Sequence, residues 1–321
     1  MRYRRPGRTG LELSVLGLGG HEFLPDGRSR GFNEDYRRAT TAGVILPGFG
    51  GTRRRAVVAA AHAAGITFFD ATIDSEKEAL GRNLRELASP REVAIQTRPE
   101  DMVYTNNPGD ENNWRMADPG LLRAEVQRLL GVLGRPRADF LNLGFMGAAV
   151  EHDPGYLGKI ARNVRLLKDD GLIRFACADT FSGEWLYERQ IATGAFEGIF
   201  INFNIADEGP ARRILPLAAG LGLSVHCRET FIKGVLFRMG EEAGVTDRAR
   251  LAQAALRWVL ANPHVTTVVV GAHDAGELEA AVAAAERPEL SDEDLALLDR
   301  VRATRSFREV HAEKLKAFGP R

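Results

Sequence analysis

The chain has little of what would tie it to a metal, a membrane or a charged polymer. Only two of its 321 residues are cysteine, Cys177 and Cys227, and both lie in apolar strand-like runs without metal-ligand spacing. Its 43 basic side chains balance 43 acidic ones, so bulk charge does not favour a nucleic-acid or membrane-surface binder. No stretch approaches the ~20 apolar residues of a membrane span, and the basic start, Met1 to Arg8, lacks the apolar run of a signal peptide. We expect a cytoplasmic globular protein with buried free thiols.

Short, continuous apolar runs alternate with segments of helical periodicity along most of the chain. Eight such runs predict parallel strands buried on both faces: Val15 to Gly20, Thr67 to Asp70, Glu92 to Thr97, Phe140 to Phe145, Leu172 to Ala178, Gly198 to Asn204, Leu223 to Cys227 and Thr266 to Gly271. Helices are predicted at Arg53 to Ala64, Leu121 to Leu133, Leu157 to Asp169, Ala211 to Ala219, Arg248 to Asn262 and Gly276 to Ala285.

The alternation predicts an α/β fold, a (β/α)₈ TIM barrel formed by residues 1–321 as one domain. Met1 to Glu12 reads as an amino-terminal β-hairpin that covers the bottom of the barrel. A further carboxyl-terminal helix is capped through Ser291 and Asp294 and precedes a charged tail from Arg305 to Arg321. Two long loops, His21 to Gly51 and Pro99 to Ala117, follow strands and should therefore lie over the carboxyl-terminal mouth.

Several motifs together resemble the aldo-keto reductases. The opening Tyr3-Arg4-Arg5-Pro6-Gly7-Arg8-Thr9-Gly10-Leu11-Glu12, followed by Val15-Leu16-Gly17-Leu18-Gly19-Gly20, is close to that family's amino-terminal signature. The segment from Thr67 to Asp70, with Ser75-Glu76 and Leu80-Gly81 after it, matches the strand and helix that carry the family's catalytic aspartate and tyrosine. Gly171-Leu172-Ile173-Arg174, Phe203-Asn204, Gly234-Val235-Leu236 and Val270-Gly271 match later landmarks. The resemblance implies the same barrel fold.

The resemblance also implies an Asp-Tyr-Lys-His tetrad at the mouth, and most of it is missing here. Asp70 matches the aspartate, but no tyrosine lies between Asp70 and Leu80. Arg98 occupies the position of the lysine, and Gly144 occupies the position of the histidine. The family's proton-transfer chemistry therefore cannot be carried over unchanged.

The family's NADPH contacts are replaced as well. The Ser-Asn pair that holds the nicotinamide amide becomes Asp179-Thr180, the glutamine on the sixth strand becomes Phe200, and the tyrosine that stacks on the nicotinamide becomes Arg228. The adenosine-phosphate region reads His273-Asp274-Ala275-Gly276-Glu277, where acidic side chains disfavour a phosphate, and Ala281 replaces an asparagine. We predict no cofactor. If a nucleotide is retained, Lys233, Gly234, Gly271 and His273 are the candidate ligands.

Because residues two apart on a strand face the same way, the inward side chains can be inferred from the positions matched to the family. They are Gln96, Arg98, Asn142, Cys177, Asp179, Asn202, His226 and Arg228, beside Asp70. The functional hypothesis is a lyase, dehydratase or isomerase acting on a small anionic oxygenated substrate. Asp70 and His21 form the predicted acid/base pair, Arg98 and Arg228 bind the anion and stabilise an enolate, and Asp179 and Glu229 are secondary acids. Arg228, Asn142, Asn202 and His226 are the predicted substrate contacts.

Other interpretations stay open. The inward groups are also compatible with a buried polar network that only maintains geometry. Glu76 and Glu229 are equally compatible with simple capping roles. A carbonyl reductase that uses NAD(P)H remains an alternative, with His21 or Tyr104 as proton donor, as does a catalytically silent binding barrel. His152-Asp153 could join a metal set with Asp70, Asp179 or His226, but no close-spaced ligand motif supports one, so no metal is predicted.

Overall fold

The computed structural model describes residues 1–24, 27–87, 92–104 and 109–317. Ten strands lie in these ranges: β1 (Tyr3–Arg4), β2 (Leu13–Ser14), β3 (Leu16–Leu18), β4 (Phe68–Ala71), β5 (Ala94–Thr97), β6 (Ala138–Gly144), β7 (Ile173–Asp179), β8 (Gly198–Asn202), β9 (Ser224–Arg228) and β10 (Thr267–Val270). Strands β3 to β10 form a closed parallel barrel, in which β10 pairs with β3, and β1 and β2 form a separate antiparallel hairpin. The predicted TIM barrel with an amino-terminal hairpin is confirmed.

Helices surround the barrel. They are α1 (Tyr36–Ala39), α2 (Thr52–Ala63), α3 (Asp74–Arg85), α4 (Glu111–Ala117), α5 (Pro119–Leu133), α6 (Gly147–His152), α7 (Tyr156–Asp169), α8 (Glu184–Ala192), α9 (Ile214–Gly220), α10 (Val235–Glu242), α11 (Arg248–Leu260), α12 (Ala275–Glu286), α13 (Asp292–Arg302) and α14 (Arg305–Ala317). Their apolar faces pack on the barrel strands in one large buried cluster. No helix in the described ranges is long and apolar enough to cross a membrane.

Local sequence signals account for several helix starts. Asp118 accepts hydrogen bonds from the backbone N–H groups of Gly120 and Leu121, and Pro119 opens α5. Ser291 and Asp294 form the predicted capping box at the start of α13. Both cysteines are buried and free, as predicted.

The structure corrects three of the predicted elements. The second hairpin strand begins at Leu13, just beyond the predicted hairpin. The predicted helix from Ala211 to Ala219 is a 3₁₀ turn followed by α9, because the backbone of Arg213 (φ −139°) is not helical. The charged tail folds into α14, since Phe307 is buried against a second apolar cluster and its N–H donates to the hydroxyl of Thr304. Residues 318–321 of that tail lie outside the described ranges.

The loop from His21 to Gly51 is tied to α3 by side chains at the start of that helix. The N–H of Gly43 donates to Oδ2 of Asp74 at 2.7 Å, and the N–H of Leu46 donates to the hydroxyl of Ser75 at 2.8 Å. The second long loop contributes Tyr104 and α4, although its residues 105–108 lie outside the described ranges. Because α3 begins beside the mouth, these contacts hold the first loop there.

Candidate active site

The register of the parallel strands aligns pairs of polar residues on neighbouring strands at the mouth of the barrel. In the parallel sheet Asp70 is aligned with Gln96, Gly144 with Asp179, and Asn202 with Arg228. These positions lie at or near the carboxyl ends of their strands, where barrel enzymes carry their chemistry. The predicted inward positions are therefore brought together, and they divide into two polar groups.

The first group surrounds Asp70. Its Oδ1 accepts a hydrogen bond from the Gln96 amide at 3.0 Å, and its side chain is buried. Burial and the neighbouring Glu76 carboxylate raise the pKa of Asp70 to about 6, although the Gln96 hydrogen bond, His21 and Arg98 act in the opposite direction. Asp70 therefore changes its protonation state near neutral pH.

His21 and Glu76 form an ion pair next to Asp70. His21 Nδ1 lies 2.7 Å from Oε1 of Glu76, whose Oε2 accepts from both the N–H and the hydroxyl of Thr72. Partial burial disfavours the charged form of His21, but the Glu76 carboxylate outweighs it and raises the pKa of the imidazole. Burial likewise disfavours the charged form of Glu76, yet His21 and Thr72 lower its pKa to about 2. A side chain at Gly20 would not fit without a shift of the backbone, because a Cβ there would lie 2.8 Å from the carbonyl oxygen of Asp70 as well as 2.6 Å from Oε2 of Glu76.

Arg98 brings a cation to the same group. Its Nε is buried and has no hydrogen-bond partner in the described part of the chain, and its ion pair with Glu100 is long, at 3.9 Å. Glu100 is held more closely by the buried Lys77, whose Nζ lies 3.0 Å from Oε1. Burial raises the pKa of Glu100 to about 7, although Lys77 and Arg98 oppose that rise. Arg98 is therefore a guanidinium with spare hydrogen-bonding capacity.

The second group is centred on Asp179, which is fully buried. Arg228 donates to both carboxylate oxygens, from Nη1 at 2.6 Å and from Nη2 at 2.7 Å, and Asn142 donates to Oδ2 at 2.9 Å. The Nε of Arg228 donates to Asn202, and the guanidinium lies over the ring of Phe200. Arg228, Asn142 and Asn202 therefore belong to a buried hydrogen-bond network around Asp179. To contact a substrate as predicted, they would have to give up hydrogen bonds within the protein.

Tyr104 fills the space left by the missing histidine side chain. A Cβ at residue 144 would overlap with the ring of Tyr104. The backbone N–H of Tyr104 donates to the carbonyl of Gly144 at 3.0 Å, and the hydroxyl of Tyr104 donates to Asp179. Burial and Asp179 raise the pKa of this hydroxyl. The sequence suggested Tyr104 only as an alternative proton donor. The signal for its position was Gly144 itself, since a glycine at that strand end leaves room for a ring.

The remaining predicted residues lie at different places. His226 is fully buried in the barrel interior, with its Nδ1 2.8 Å from Oε1 of Gln96. Glu229 has a left-handed backbone (φ 61°) and pairs with Lys233 at 3.3 Å and Lys314 at 3.8 Å, away from the Asp70 group. His152 is exposed at the carboxyl end of α6. Among the described residues, no three His, Cys, Asp or Glu side chains form a cluster suited to a metal ion.

The region that the resemblance assigns to the adenosine phosphate is occupied by the protein's own carboxylates. Oδ1 of Asp274 accepts from the N–H of Glu277 at 3.0 Å, and Oε2 of Glu277 accepts from the N–H of His273 at 2.9 Å. Phe23 packs against the backbone of Gly271, where a Cβ would lie 2.6 Å from its ring. Since the N–H groups are already bonded to carboxylates, a phosphate would have to displace them and would meet their charge.

Comparisons with known proteins agree with the barrel. A model of the aldo/keto reductase family matches residues 234–303. The structure is similar to an aldo-keto reductase from Bacillus halodurans solved in its holo form, with a TM-score of 0.68 and 19% identity over 94% of this chain and 96% of that one. It is also similar to a glycerol dehydrogenase from Gluconobacter oxydans, with a TM-score of 0.67 and 20% identity over 94% of each chain. The family model matches less than a quarter of the chain, and the likeness to these two structures shows that the chain shares their barrel fold. No curated protein sequence matches it.

The resemblance to the aldo-keto reductases implies a nicotinamide cofactor, and the side chains at the matched positions of the mouth are arranged unfavourably for one. The positions that would hold the nicotinamide amide and stack on its ring are Asp179 and Arg228, and these two side chains are joined to each other by two hydrogen bonds. Arg228 would have to leave a fully buried carboxylate to admit the ring, and an unpaired buried charge is costly. The chain therefore shares the barrel of these reductases, while at the matched cofactor positions the side chains make contacts with each other.

Proposed function

We propose that this barrel is a non-redox acid/base enzyme, a lyase, dehydratase or isomerase, that acts on a small oxygenated carboxylate. The observation that carries the proposal is the salt bridge between Arg228 and Asp179, which joins the two positions that would otherwise hold a nicotinamide. Without hydride transfer, the chemistry rests on the side chains of the Asp70 group. That group contains a proton acceptor, a proton donor and a cation.

Asp70 is the proposed general base. Its pKa of about 6 makes it mainly ionised at neutral pH, and basic enough to accept a proton there. His21 is the proposed general acid, because Glu76 raises the pKa of the imidazole and so favours its protonated form, and because the side chain is 41% exposed and accessible from the mouth. The two groups interact electrostatically, which supports their action on one substrate.

Arg98 is the proposed ligand for the substrate carboxylate. Guanidinium groups bind carboxylates through two parallel hydrogen bonds, and Arg98 has capacity for them beside Asp70. The revision from the sequence-based hypothesis is that Arg98 acts alone. Arg228 is assigned to the Asp179 network, so one carboxylate is expected to be recognised here rather than two.

A dehydration illustrates the proposed roles. Asp70 takes the proton from the carbon next to the carboxylate, and the electron pair of that C–H bond becomes the enolate, whose charge Arg98 stabilises. The enolate electrons then form a C=C bond as the C–O bond at the next carbon breaks. His21 donates a proton to the departing hydroxyl, which leaves as water. For an isomerase, His21 would instead protonate a different atom of the enolate.

The experiment is a screen for proton exchange. Small hydroxy acids, sugar acids and keto acids are incubated with the protein in D₂O, and ¹H NMR follows loss of the proton next to the carboxylate and the appearance of product. We expect wild-type protein and an exposed control, Asp169→Asn at the end of α7, to be active, and Asp70→Asn to be inactive. A parallel fluorescence titration with NADPH and NADH should show no tight binding, and a dissociation constant in the micromolar range or below would contradict the non-redox proposal.

The second candidate is an NAD(P)H-dependent carbonyl reductase, which the Tyr104 hydroxyl beside Asp179 favours. Its support is weaker because that hydroxyl already donates to Asp179 and its pKa is raised, which makes it a poorer acid. Tight cofactor binding together with carbonyl-dependent NADPH oxidation would favour it. Absence of both cofactor binding and proton exchange would instead favour a binding barrel without catalysis.

We further propose that the protein works in the cytoplasm and that its partner is a small molecule. Two buried free thiols support a reducing cytoplasm, and the balanced charge supports a small-molecule partner over nucleic acid or a membrane surface.

A further inference from the structure

A line of hydrogen bonds runs beneath Asp70 through the barrel interior. The Gln96 amide lies 3.0 Å from Asp70 and 2.8 Å from Nδ1 of His226, and Nε2 of His226 is hydrogen-bonded to the hydroxyl of Ser224. Gln96, His226 and Ser224 are each 0% exposed. Strand register places Asp70 and Gln96 side by side on β4 and β5, while His226 and Ser224 reach them from β9.

Which group donates in each of these hydrogen bonds depends on which ring nitrogen of His226 carries the proton. An amide side chain presents N–H groups at one end and a carbonyl at the other, so Gln96 can face Asp70 in either of two orientations. Burial lowers the pKa of His226 to about 3, so the imidazole is neutral, with one donor and one acceptor nitrogen. If Ser224 donates to Nε2, then Nδ1 carries the proton and must face a carbonyl. The Gln96 carbonyl then points to His226, and its N–H points to Asp70.

The imidazole is held in place by aromatic rings. Phe68 lies edge-on to it, with ring centroids 4.5 Å apart, and Phe140 does so at 4.8 Å. Cys177 is the other polar neighbour, with its Sγ 3.6 Å from Nδ1. A thiol is a weak partner compared with the Gln96 carbonyl at 2.8 Å, so it does not compete effectively for the Nδ1 proton.

We propose that Ser224, His226 and Gln96 are positioning residues, which keep an N–H of Gln96 directed at Asp70 and so favour the ionised carboxylate. A hydrogen bond donated to the charged form of an acid stabilises that form. The reversed amide would instead turn its carbonyl toward the carboxylate, where the two oxygens repel each other. The inference rests on the proposed function only in taking Asp70 as the base.

The charged groups around Asp70 come from other elements and remain when the line is altered. Glu76 on α3 raises the pKa of Asp70, whereas His21 from the first loop and Arg98 after β5 lower it. A change at Gln96 or His226 leaves all three in place. A shift in the Asp70 titration can therefore be assigned to the hydrogen-bonded line.

The test is an NMR titration, which needs no turnover. The ¹³Cγ signal of Asp70 is followed against pH in wild type, Gln96→Met, His226→Phe and Ser224→Ala. Loss of a hydrogen bond to a charged group should raise the Asp70 midpoint by about one pH unit in Gln96→Met. His226→Phe should also raise the Asp70 midpoint, because the side-chain amide of Gln96 can then rotate and turn its carbonyl toward Asp70. Gln190→Met removes another fully buried amide, one that donates to the Asp179 carbonyl, and should leave the Asp70 midpoint unchanged.

¹⁵N spectra of wild-type His226 give an independent result, and they remain decisive if the interior variants do not fold. The proposal expects a proton on Nδ1 and none on Nε2 throughout the neutral range. A proton on Nε2 would overturn it, and so would an unchanged Asp70 midpoint in folded Gln96→Met. The proposed function fails by a different result, namely the absence of proton exchange on any carboxylate tested.

Discussion

Arg228 and Asp179 connect the ends of strands β9 and β7 across the mouth of the barrel, through two hydrogen bonds of 2.6 and 2.7 Å between guanidinium and carboxylate. The carboxylate is 0% exposed and the Arg228 side chain 13% exposed, so both charges are largely removed from water. Such a pair need not stabilise the fold relative to apolar residues, but each partner depends on the other. The relationship therefore has consequences both for stability and for what the mouth can bind.

Removing Arg228 alone should destabilise the protein strongly. Arg228→Ala leaves Asp179 buried with Asn142, Tyr104 and Tyr187 as its side-chain donors. Breaking a buried ion pair in this way typically costs about 3–5 kcal/mol. Urea denaturation measures the free energy of unfolding. The double variant Arg228→Met with Asp179→Leu should lose less than Arg228→Ala, because no charge is left unpaired. A loss below about 1 kcal/mol in Arg228→Ala would show that the pair is well compensated by solvent.

Arg98 should be required for binding of the substrate carboxylate. Small hydroxy acids and sugar acids that bind the native state should raise the melting temperature, and saturation at 100 times the dissociation constant corresponds to about 2.7 kcal/mol of stabilisation. Arg98→Ala should abolish this shift. Arg165→Ala, which removes an exposed arginine on α7, should retain it. A shift that persists in Arg98→Ala would place the anion site elsewhere in the mouth.

The rate of the catalysed reaction should depend on pH through two groups. The general base Asp70 must be ionised, so kcat/KM should fall as the pH drops through about 6. The general acid His21 must be protonated, so kcat/KM should also fall as the pH rises through its elevated pKa. His21→Ala should lower the rate by about 10² to 10⁴ and remove the alkaline limb. An unchanged profile in His21→Ala would exclude this histidine as the acid.

Asp70 should lower the stability of the fold above pH 6. Its folded-state pKa of about 6 exceeds the ordinary value of 3.8, so the native state binds protons more tightly and loses stability as the pH rises from about 4 to 6. A difference of about two units corresponds to about 3 kcal/mol at alkaline pH. Asp70→Asn should therefore be more stable than wild type at pH 8 by a gain of that order, and much less so near pH 4.

Urea denaturation at the two pH values measures this difference, with Asp169→Asn as the exposed control. An equal effect of Asp70→Asn at both pH values would contradict the raised pKa. A gain in stability accompanied by a loss of proton exchange would be typical of a strained catalytic group.

The sequence was sufficient to predict the barrel and the residues that face its interior. Eight short apolar runs correspond to β3 to β10, because strands buried on both faces need continuous apolar sequence and because the period of two sets which side chains point inward. Asp70, Gln96, Asn142, Asp179, His226 and Arg228 are buried or partly buried there, as the family positions predicted.

The tertiary structure alone determined which charges are already neutralised. From sequence, Arg98 and Arg228 were both predicted to bind an anion. In the fold Arg228 lies against Asp179, 49 positions away along the chain. The buried Nε of Arg98 has no hydrogen-bond partner among the described residues and only a long ion pair with Glu100. Tyr104 occupies the space over Gly144 from an irregular loop, where no periodicity predicts direction. The periodicity of a strand determines the face on which a side chain lies. Whether its charge is paired depends on its distance from residues remote in sequence, and the closed barrel alone determines that distance.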